Sequence, residues 1–252
     1  MIRKSLNLSG KIDPLTIELF EDIKKVAESI NIQFFVVGAT ARDIIITYGY
    51  DIQTTRATMD IDFGVQVADW EQYEKLKHGL IDTTYFKQES QKQQRLIYKD
   101  DLMVDVIPFG AIADPENRFS WPNEDGIEMD TLGFIDSYED ALLVRLRKSP
   151  VLDIRFASLA GLSLMKIIAW NDNPARGNRD AKDLKIIIQH YLDAGNVDRI
   201  FEEERDIFDR IKKNKGDDYK KAGAMLLGRD IAKIAIPESK RKIIEILEAE
   251  TG

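Results

Sequence analysis

The stretch Thr58-Met59-Asp60-Ile61-Asp62-Phe63-Gly64-Val65 decides how this chain is expected to fold. Side chains alternate along a strand, so its apolar residues face one way while Asp60 and Asp62 project together from the other face. Two neighbouring carboxylates repel each other, and a divalent cation between them removes that cost. The stretch therefore predicts a strand that holds magnesium for a phosphoryl-type reaction. A solvated strand face is the weaker alternative, because Asp is depleted in strands.

A buried strand and a helix start precede this stretch. Residues 32–37 are rich in β-branched and aromatic side chains, and they lead into Gly38-Ala39-Thr40-Ala41-Arg42-Asp43, which begins a helix predicted to run to about Tyr48. Glycine lets the backbone approach a ligand closely, and the free amides at a helix start suit a phosphate. Strand–glycine–helix junctions are also common as plain architecture, so both interpretations of Gly38 and Thr40 stay open.

A third acid lies on a later strand. Residues 94–98 and 102–107 read as a hairpin around Lys99-Asp100-Asp101, and Asp105 is a lone charge in its apolar second arm. A single buried carboxylate is rare unless it is paired, hydrogen-bonded or bound to metal. We therefore predict that Asp105 joins the aspartate pair.

The remaining pattern divides the chain into a strand-bearing part and a helical part. Apolar spacing of three and four residues predicts helices at residues 14–30 and 69–80 of the first part. After Pro150 the predicted elements are helices, at residues 158–170, 179–191, 197–213, 217–234 and 238–248. We therefore predict an α+β protein, with a mixed β-sheet flanked by helices over residues 1–150 and a C-terminal helical domain over residues 151–252.

Composition excludes several function classes. Of the 252 residues, 44% are hydrophobic and 32% are charged, which is typical of a globular protein. The chain has no cysteine, so disulfides, thiolate zinc sites and cysteine nucleophiles are excluded, and its two histidines argue against a histidine-rich metal site. The net charge of −8 does not indicate a general polyanion-binding surface. No apolar run reaches the ~20 residues of a membrane span, so we predict a cytoplasmic protein.

Taken in order, these features resemble the nucleotidyltransferase superfamily that shares the polymerase-β palm. Its pattern is an apolar strand, a Gly-Gly or Gly-Ser turn, a helix, an Asp-x-Asp or Asp-x-Glu pair and a third acid on a later strand. The chain is most similar to the branch that includes the AbiE-type toxins, whose helical half carries a lysine, an arginine and an Arg-Asp-x-x-Asp motif. The matching residues, within about residues 33–195, are Gly38-Ala39-Thr40, Asp60-Ile61-Asp62, Asp105, Lys166, Arg176 and Arg179-Asp180-Ala181-Lys182-Asp183.

The resemblance implies transfer of a nucleoside monophosphate from an NTP to an acceptor hydroxyl. It implies two magnesium ions, for which manganese could substitute, bound by Asp60, Asp62 and Asp105. Asp105 would help to hold the ion beside the acceptor hydroxyl or would act as its base. Together with Lys166, a cation on the phosphates, these aspartates form the predicted catalytic set.

Further predicted contacts are with the nucleotide. Gly38 and Thr40 would line the triphosphate through a backbone amide and a hydroxyl, and Arg176 or Arg179 would assist as charge develops. Ala39 stands where family members usually have Gly or Ser, so a side-chain hydroxyl contact is lost at that position.

Other charged residues near these motifs have structural interpretations. Asp180 and Asp183 lie near a helix start, where they favour the helix dipole, and an interdomain salt bridge would call for the same residue types. Arg42 could touch the nucleotide or pair with Asp43 or Asp51, and we do not assign it to the site.

The toxin branch implies a tRNA 3′ end, or another RNA, as acceptor and a cognate antitoxin as partner. Small-molecule acceptors such as antibiotics stay open within the same chemistry. An alternative of another class is a module of the same fold that binds nucleotide or RNA without turnover. The three aspartates argue against that alternative, and Ala39 argues for it. A carboxylate–metal phosphohydrolase is a third alternative, but the sequence lacks the additional His and Asp ligands that such sites usually collect.

Overall fold

The computed structural model describes residues 5–54, 60–122, 128–172, 178–211 and 218–251. Within these segments the strands are β1 (Ser5–Asn7), β2 (Gln33–Val37), β3 (Asp60–Gln66), β4 (Phe86–Gln88), β5 (Arg95–Tyr98), β6 (Leu102–Phe109), β7 (Arg118–Ser120), β8 (Glu128–Asp130), β9 (Leu142–Lys148) and β10 (Val151–Phe156). The α-helices are α1 (Pro14–Ser29), α2 (Gly38–Asp43), α3 (Trp70–Asp82), α4 (Phe134–Glu139), α5 (Leu159–Asp172), α6 (Arg179–His190), α7 (Val197–Glu202), α8 (Arg205–Ile211), α9 (Asp218–Ile234) and α10 (Pro237–Thr251).

Eight strands of the described segments form one mixed sheet in the order β1-β9-β10-β2-β3-β6-β5-β4, while β7 pairs with β8 in a separate ribbon. At the centre of the sheet β2 is antiparallel to β3, β3 is parallel to β6, and β6 is antiparallel to β5. The connection between the parallel strands passes through α3, as parallel neighbours require a crossover. The predicted mixed sheet with flanking helices is confirmed.

Aromatic side chains pack on both faces of the central strands. Phe63 of β3 lies edge-on to Phe20 of α1, with ring centroids 5.8 Å apart. On the other face the Phe35 ring of β2 covers Gly64, where a Cβ would lie 2.3 Å from a ring carbon. Because side chains alternate, Gly64 belongs to the same face as Asp62. The face that presents the aspartates is therefore closed by aromatic packing immediately beyond them.

Two elements of the sheet part differ from their predicted bounds. The strand predicted to begin at residue 58 is described from Asp60 onward, and residues 55–59 lie outside the described segments. The helix predicted to run from Gly38 to about Tyr48 is α-helical as far as Asp43 and then continues as a π-helix over Ile44–Gly49.

The sheet also extends past residue 150, the predicted limit of the strand-bearing part. That limit was placed too early in the chain. Ser149 and Pro150 form the turn between β9 and β10. Strand β10 pairs with β9 on one side and, at Phe156, with Val36 of β2 on the other. The proline marks a hairpin turn within the sheet, so the strand-bearing part ends at Phe156.

The helical part begins at α5, which packs against the sheet part. Leu162 and Leu164 are among the buried residues of α5, and a Cβ on Gly133 of the sheet part would lie 2.0 Å from Leu164. At the far end of the chain, Asp136 of α4 accepts a hydrogen bond of 3.0 Å from the hydroxyl of Ser239 in α10. The single helix predicted over residues 197–213 is two helices, α7 and α8. None of the described helices has the length and apolar character needed to cross a membrane.

Candidate active site

Three aspartates of strands β3 and β6 lie together at the cleft described below. Asp62 stands opposite Asp105 in the parallel register, and Asp60 lies two residues earlier on the same face of β3. One carboxylate oxygen from each of the three lies within 4.8 Å of the others. The acids predicted from the sequence are thus brought together. In the described segments they are the one group of acids or histidines with this spacing.

Burial and the crowding of these carboxylates raise the pKa of Asp62. Burial, together with the charges of Asp105 and Asp60, raises the pKa of the Asp62 carboxyl to about 7, although Lys166 and Arg95 act in the opposite direction. The fold therefore holds a carboxyl group where negative charge is unfavourable, and a bound cation would remove that cost. Carboxylate oxygens are also the ligands that hard divalent cations prefer. The cluster fits magnesium or manganese.

The junction of β2 and α2 shapes the space around these carboxylates. Gly38 has a φ of +70°, and a Cβ at this position would lie 1.9 Å from Oδ2 of Asp62. Thr40 donates its hydroxyl hydrogen to the backbone carbonyl of Asp60, at 2.7 Å. Both residues therefore support the aspartates directly, whereas their contact with a phosphate stays a prediction.

Arg95 of β5 is a component of the cluster that the sequence reasoning missed. Its Nε and Nη2 atoms each donate to one carboxylate oxygen of Asp105 at 2.7 Å, and Nη2 also donates to Asp60 at 3.2 Å. The hydrogen bonds to Asp105 raise the pKa of the guanidinium, so Arg95 stays charged. Counting residues outward from the predicted hairpin turn pairs position 95 with position 105, as the structure does. That count is the signal that could have found it.

Lys166 of α5 contacts the two aspartates of α6. Its Nζ lies 2.7 Å from a carboxylate oxygen of Asp180 and 3.0 Å from one of Asp183. Burial alone would lower the pKa of the Lys166 amine, but the two carboxylates outweigh it and raise the pKa. Lys166 is therefore held as a cation on the wall of the cleft.

A buried ion pair continues from Asp183 into the sheet part. Arg42 of α2 has a side chain that is 1% exposed; it donates to Asp183 and lies 2.6 Å from Asp43. The sequence allowed for pairing of Arg42 with Asp43, but Asp183 is 141 residues away and was not predicted as its partner. Arg42, Asp183 and Lys166 together connect α2 to α5 and α6.

A cleft of about 490 Å³ joins the aspartate cluster to Lys166. Arg179, in the first turn of α6, also lies on the cleft, while Arg176 lies outside the described segments. A second pocket of about 190 Å³ opens beside Gly38 and Asp62. Its walls include the apolar side chains of Met129, Leu132, Phe134, Leu162, Met165 and Ile168.

A mixed sheet that presents a carboxylate pair and a third acid beside a glycine–helix junction is the arrangement of a nucleotidyltransferase. The chain belongs to the family described as "Nucleotidyl transferase AbiEii toxin, Type IV TA system", whose sequence model matches residues 25–248. The resemblance predicted from the motifs is confirmed, and the protein is a nucleotidyltransferase.

Three solved structures show low similarity to this chain. ANT(2'')-Ia in complex with adenylyl-2''-tobramycin is 14% identical, with 68% of this chain and 86% of that chain covered and a TM-score of 0.40. The lincosamide antibiotic adenylyltransferase LnuA, with lincomycin bound, is 17% identical, with 67% and 93% covered and a TM-score of 0.40. An antigenic nucleotidyltransferase-like protein from Paracoccidioides brasiliensis is 14% identical, with 77% and 90% covered and a TM-score of 0.45. No curated protein matches the sequence.

Proposed function

We propose that this chain transfers a nucleoside monophosphate from an NTP to an acceptor hydroxyl in a reaction that depends on a divalent cation. One observation carries the proposal: Asp60, Asp62 and Asp105 offer oxygens within 4.8 Å of one another on a cleft that also contains Lys166. Membership of the family supports the type of reaction, and the carboxylate cluster supports the requirement for a cation.

The residues of the cleft have separable roles in this proposal. Asp60 and Asp62 would hold magnesium or manganese, which supplies Lewis-acid polarisation of a phosphoryl oxygen when bound. Lys166, kept protonated by its two carboxylate partners, would neutralise charge that develops on the phosphates. Arg179 and Arg176 are proposed to assist it. Gly38 would bring its backbone amide to the triphosphate.

The pocket beside Gly38 and Asp62 is proposed to take the nucleobase. Its apolar side chains suit the faces of a planar base, its wall also includes the acids Glu128, Asp130 and Asp172, and it opens next to the proposed cation site. A base seated there would leave the triphosphate to extend along the polar cleft towards Lys166.

The acceptor is proposed to be RNA, with a tRNA 3′ end as the first candidate, and the biological role that of a toxin with a cognate antitoxin. The family to which the chain belongs supports this proposal. With a net charge of −8, the chain must bind RNA through local groups on the cleft rather than through a generally basic surface.

The test incubates the purified chain with each α-phosphate-labelled NTP, magnesium and total RNA. Labelled RNA is expected with at least one NTP, and the label should be lost with Asp60→Ala or after chelation of the metal. Arg145→Ala is the control variant, because Arg145 pairs with Asp153 in the same sheet but on strands β9 and β10. It should label RNA as the wild type does.

Each alternative gives its own result in this assay. If no NTP labels any RNA while calorimetry still detects nucleotide binding, the chain is a binding module without turnover. Label that appears on an aminoglycoside or a lincosamide, and not on RNA, would assign a small-molecule acceptor. Expression that leaves growth unharmed would contradict the toxin role and leave the chemistry in place.

A further inference from the structure

The pairing of the strands places Arg95 in the aspartate cluster. In the register of three adjacent strands, Asp62 of β3 stands opposite Asp105 of β6, and Asp105 stands opposite Arg95 of β5. Three further pairs, from Leu96–Val104 to Tyr98–Leu102, keep the same antiparallel register, and on the other side the Val106 amide donates to the Gln94 carbonyl at 2.9 Å, so the backbone fixes the position of the arginine. The guanidinium is therefore a built component of the site rather than a surface side chain that folds over it.

The contacts of Arg95 occupy the third acid. Two parallel hydrogen bonds of 2.7 Å engage both carboxylate oxygens of Asp105, which is the strongest geometry available to an arginine and a carboxylate. The same guanidinium reaches Asp60 at 3.2 Å. Its side chain is 12% exposed, so solvent screens these contacts weakly.

The charges of the cluster favour a single divalent ion. When all three carboxylates are ionised they carry three negative charges, and the guanidinium reduces the net charge to minus two, which one divalent cation balances. A second divalent cation at Asp105 would be a few ångströms from the Arg95 guanidinium, where repulsion between like charges is strong. Lys166 adds no net positive charge to this balance, because the two carboxylates of Asp180 and Asp183 that contact it outnumber its single charge.

We propose that Arg95 takes the place of the second metal ion of this site. The chain then binds one divalent ion, at Asp60 and Asp62, while Arg95 supplies the positive charge beside Asp105. This differs from the two ions implied by the sequence resemblance. The inference rests on the proposed function, which gives the reaction of the site. The number of ions per chain, however, is measured without any reaction.

The experiment counts manganese ions retained by the full chain in equilibrium dialysis, with and without a non-hydrolysable α,β-methylene NTP. The wild type is expected to saturate at one ion per chain. Arg95→Ala frees both oxygens of Asp105 and is expected to saturate at two. Arg95→Lys keeps the positive charge and should stay at one ion.

Arg145→Ala is a matched control for the removal of an arginine. Arg145 and Asp153 form a cross-strand pair in the same sheet, with two hydrogen bonds of 2.8 Å, and the predicted ion count of this variant is unchanged from the wild type. Circular dichroism in the presence of manganese shows whether each variant is folded.

Two ions in the wild type would overturn the inference, and no variant is needed for that result. One ion in both the wild type and a folded Arg95→Ala variant would also overturn it, because Arg95 would not be what excludes the second ion. Two ions in a wild type that labels RNA would leave the proposed function standing. One ion in a chain that never transfers nucleotide would refute the proposed function and leave the ion count standing.

Discussion

Gly38 shows how one backbone position controls the aspartate cluster, and it provides the first prediction. An L-residue at φ +70° costs roughly 1–2 kcal/mol. In addition, the Cβ of alanine would lie 1.9 Å from Oδ2 of Asp62 and would displace this carboxylate. Gly38→Ala is therefore expected to weaken manganese binding and to lower nucleotide transfer by about 100-fold, because small displacements of catalytic groups have effects of that size.

Gly10→Ala is the matched control for this prediction. Gly10 has a similar φ of +81°, but a Cβ added there meets nothing within 4 Å. The thermal midpoints of the two variants should fall to a comparable degree, while Gly10→Ala keeps its manganese affinity. Equal loss of manganese binding in both variants would show that contact with Asp62 is not the cause.

Single residues of the site differed in how far the sequence could predict them. Asp60 and Asp62 were found because alternation along a strand needs no partner, and Asp105 because a lone charge in an apolar strand is unusual. Arg95 was missed, as was the pairing of Arg42 with Asp183, because the partners lie 10 and 141 residues away. Local patterns give the side that a residue faces, whereas its partner depends on strand register and on how the helices pack.

At the scale of elements, the buried ion pairs that join α2 to α5 and α6 provide the second prediction. Arg42→Met removes a guanidinium that is 1% exposed and leaves the carboxylates of Asp43 and Asp183 with one cation fewer. We expect the free energy of unfolding to fall by about 3–5 kcal/mol, the usual effect of removing one member of a buried pair. Urea denaturation followed by circular dichroism measures this change.

The double variant Arg42→Met with Asp183→Asn tests whether the excess negative charge is the cause. Removal of both charges should restore part of the lost stability, so the double variant is expected to be more stable than Arg42→Met alone. Arg145→Met provides the surface comparison, because the Arg145 side chain is 43% exposed and its pair should contribute no more than about 1 kcal/mol. Additive losses in the double variant would contradict the explanation.

The packing of α7 against α9 provides a prediction of pH dependence. Asp230 of α9 is fully buried and accepts hydrogen bonds from Arg199 at 2.7 and 2.8 Å and from Tyr191 at 2.6 Å. Burial opposes ionisation, but these hydrogen bonds outweigh it and lower the pKa of the Asp230 carboxyl below its ordinary 3.8. The unfolded chain therefore binds this proton more readily than the native protein does, so stability from Asp230 rises with pH.

The measurement compares the urea midpoints of the wild type and Asp230→Asn across pH. At neutral pH the wild type should be more stable, since its Asp230 carboxylate is ionised and pairs with Arg199. The difference in midpoint should shrink as the pH falls below about 4 and passes through the lowered pKa of Asp230 in the native protein. A difference that stays constant down to pH values of about 3 would mean that the charge of Asp230 does not stabilise the fold.

Element types were predicted better than element ends. Helices α1 and α3 begin after Asp13 and Asp69, whose side chains accept hydrogen bonds at the helix starts, and such caps are visible in a sequence. Pro150 was taken as the limit of the strands, yet it lies in a hairpin turn. Helix α7 ends where the amides of Glu203 and Glu204 both donate to the Arg199 carbonyl, which depends on tertiary packing.

At the scale of the whole molecule, the cleft exists because the helical part is joined to the sheet part at several places. The hydrogen bond between Asp136 and Ser239 joins α4 to α10, and the Arg42–Asp183 pair joins α2 to α6. Helix α5 follows β10 directly and is buried along most of its length. The division of the chain into two domains stays a prediction, and these contacts favour two parts that unfold together.

Three tryptophans allow this coupling to be tested within one molecule. Trp70 and Trp121, whose ring centroids are 5.6 Å apart, report on the sheet part, whereas Trp170 lies in α5. Separation of the two parts would expose the apolar side chains of α5 to water and would break the buried ion pair between Arg42 and Asp183. Neither part is therefore expected to be stable alone, and unfolding should be a single cooperative transition.

The last prediction is that both sets of tryptophans report the same urea transition. Trp170→Phe leaves the sheet reporters, and the double variant Trp70→Phe with Trp121→Phe leaves only Trp170. The substitutions themselves shift stability, so fluorescence is compared with circular dichroism within each variant. The two signals should give coincident midpoints and slopes in both variants.

A Trp170 signal that changes at lower urea than the circular dichroism would show that the helical part unfolds first. In that case the cleft opens without loss of the sheet, and Lys166 can separate from the aspartates in a folded protein.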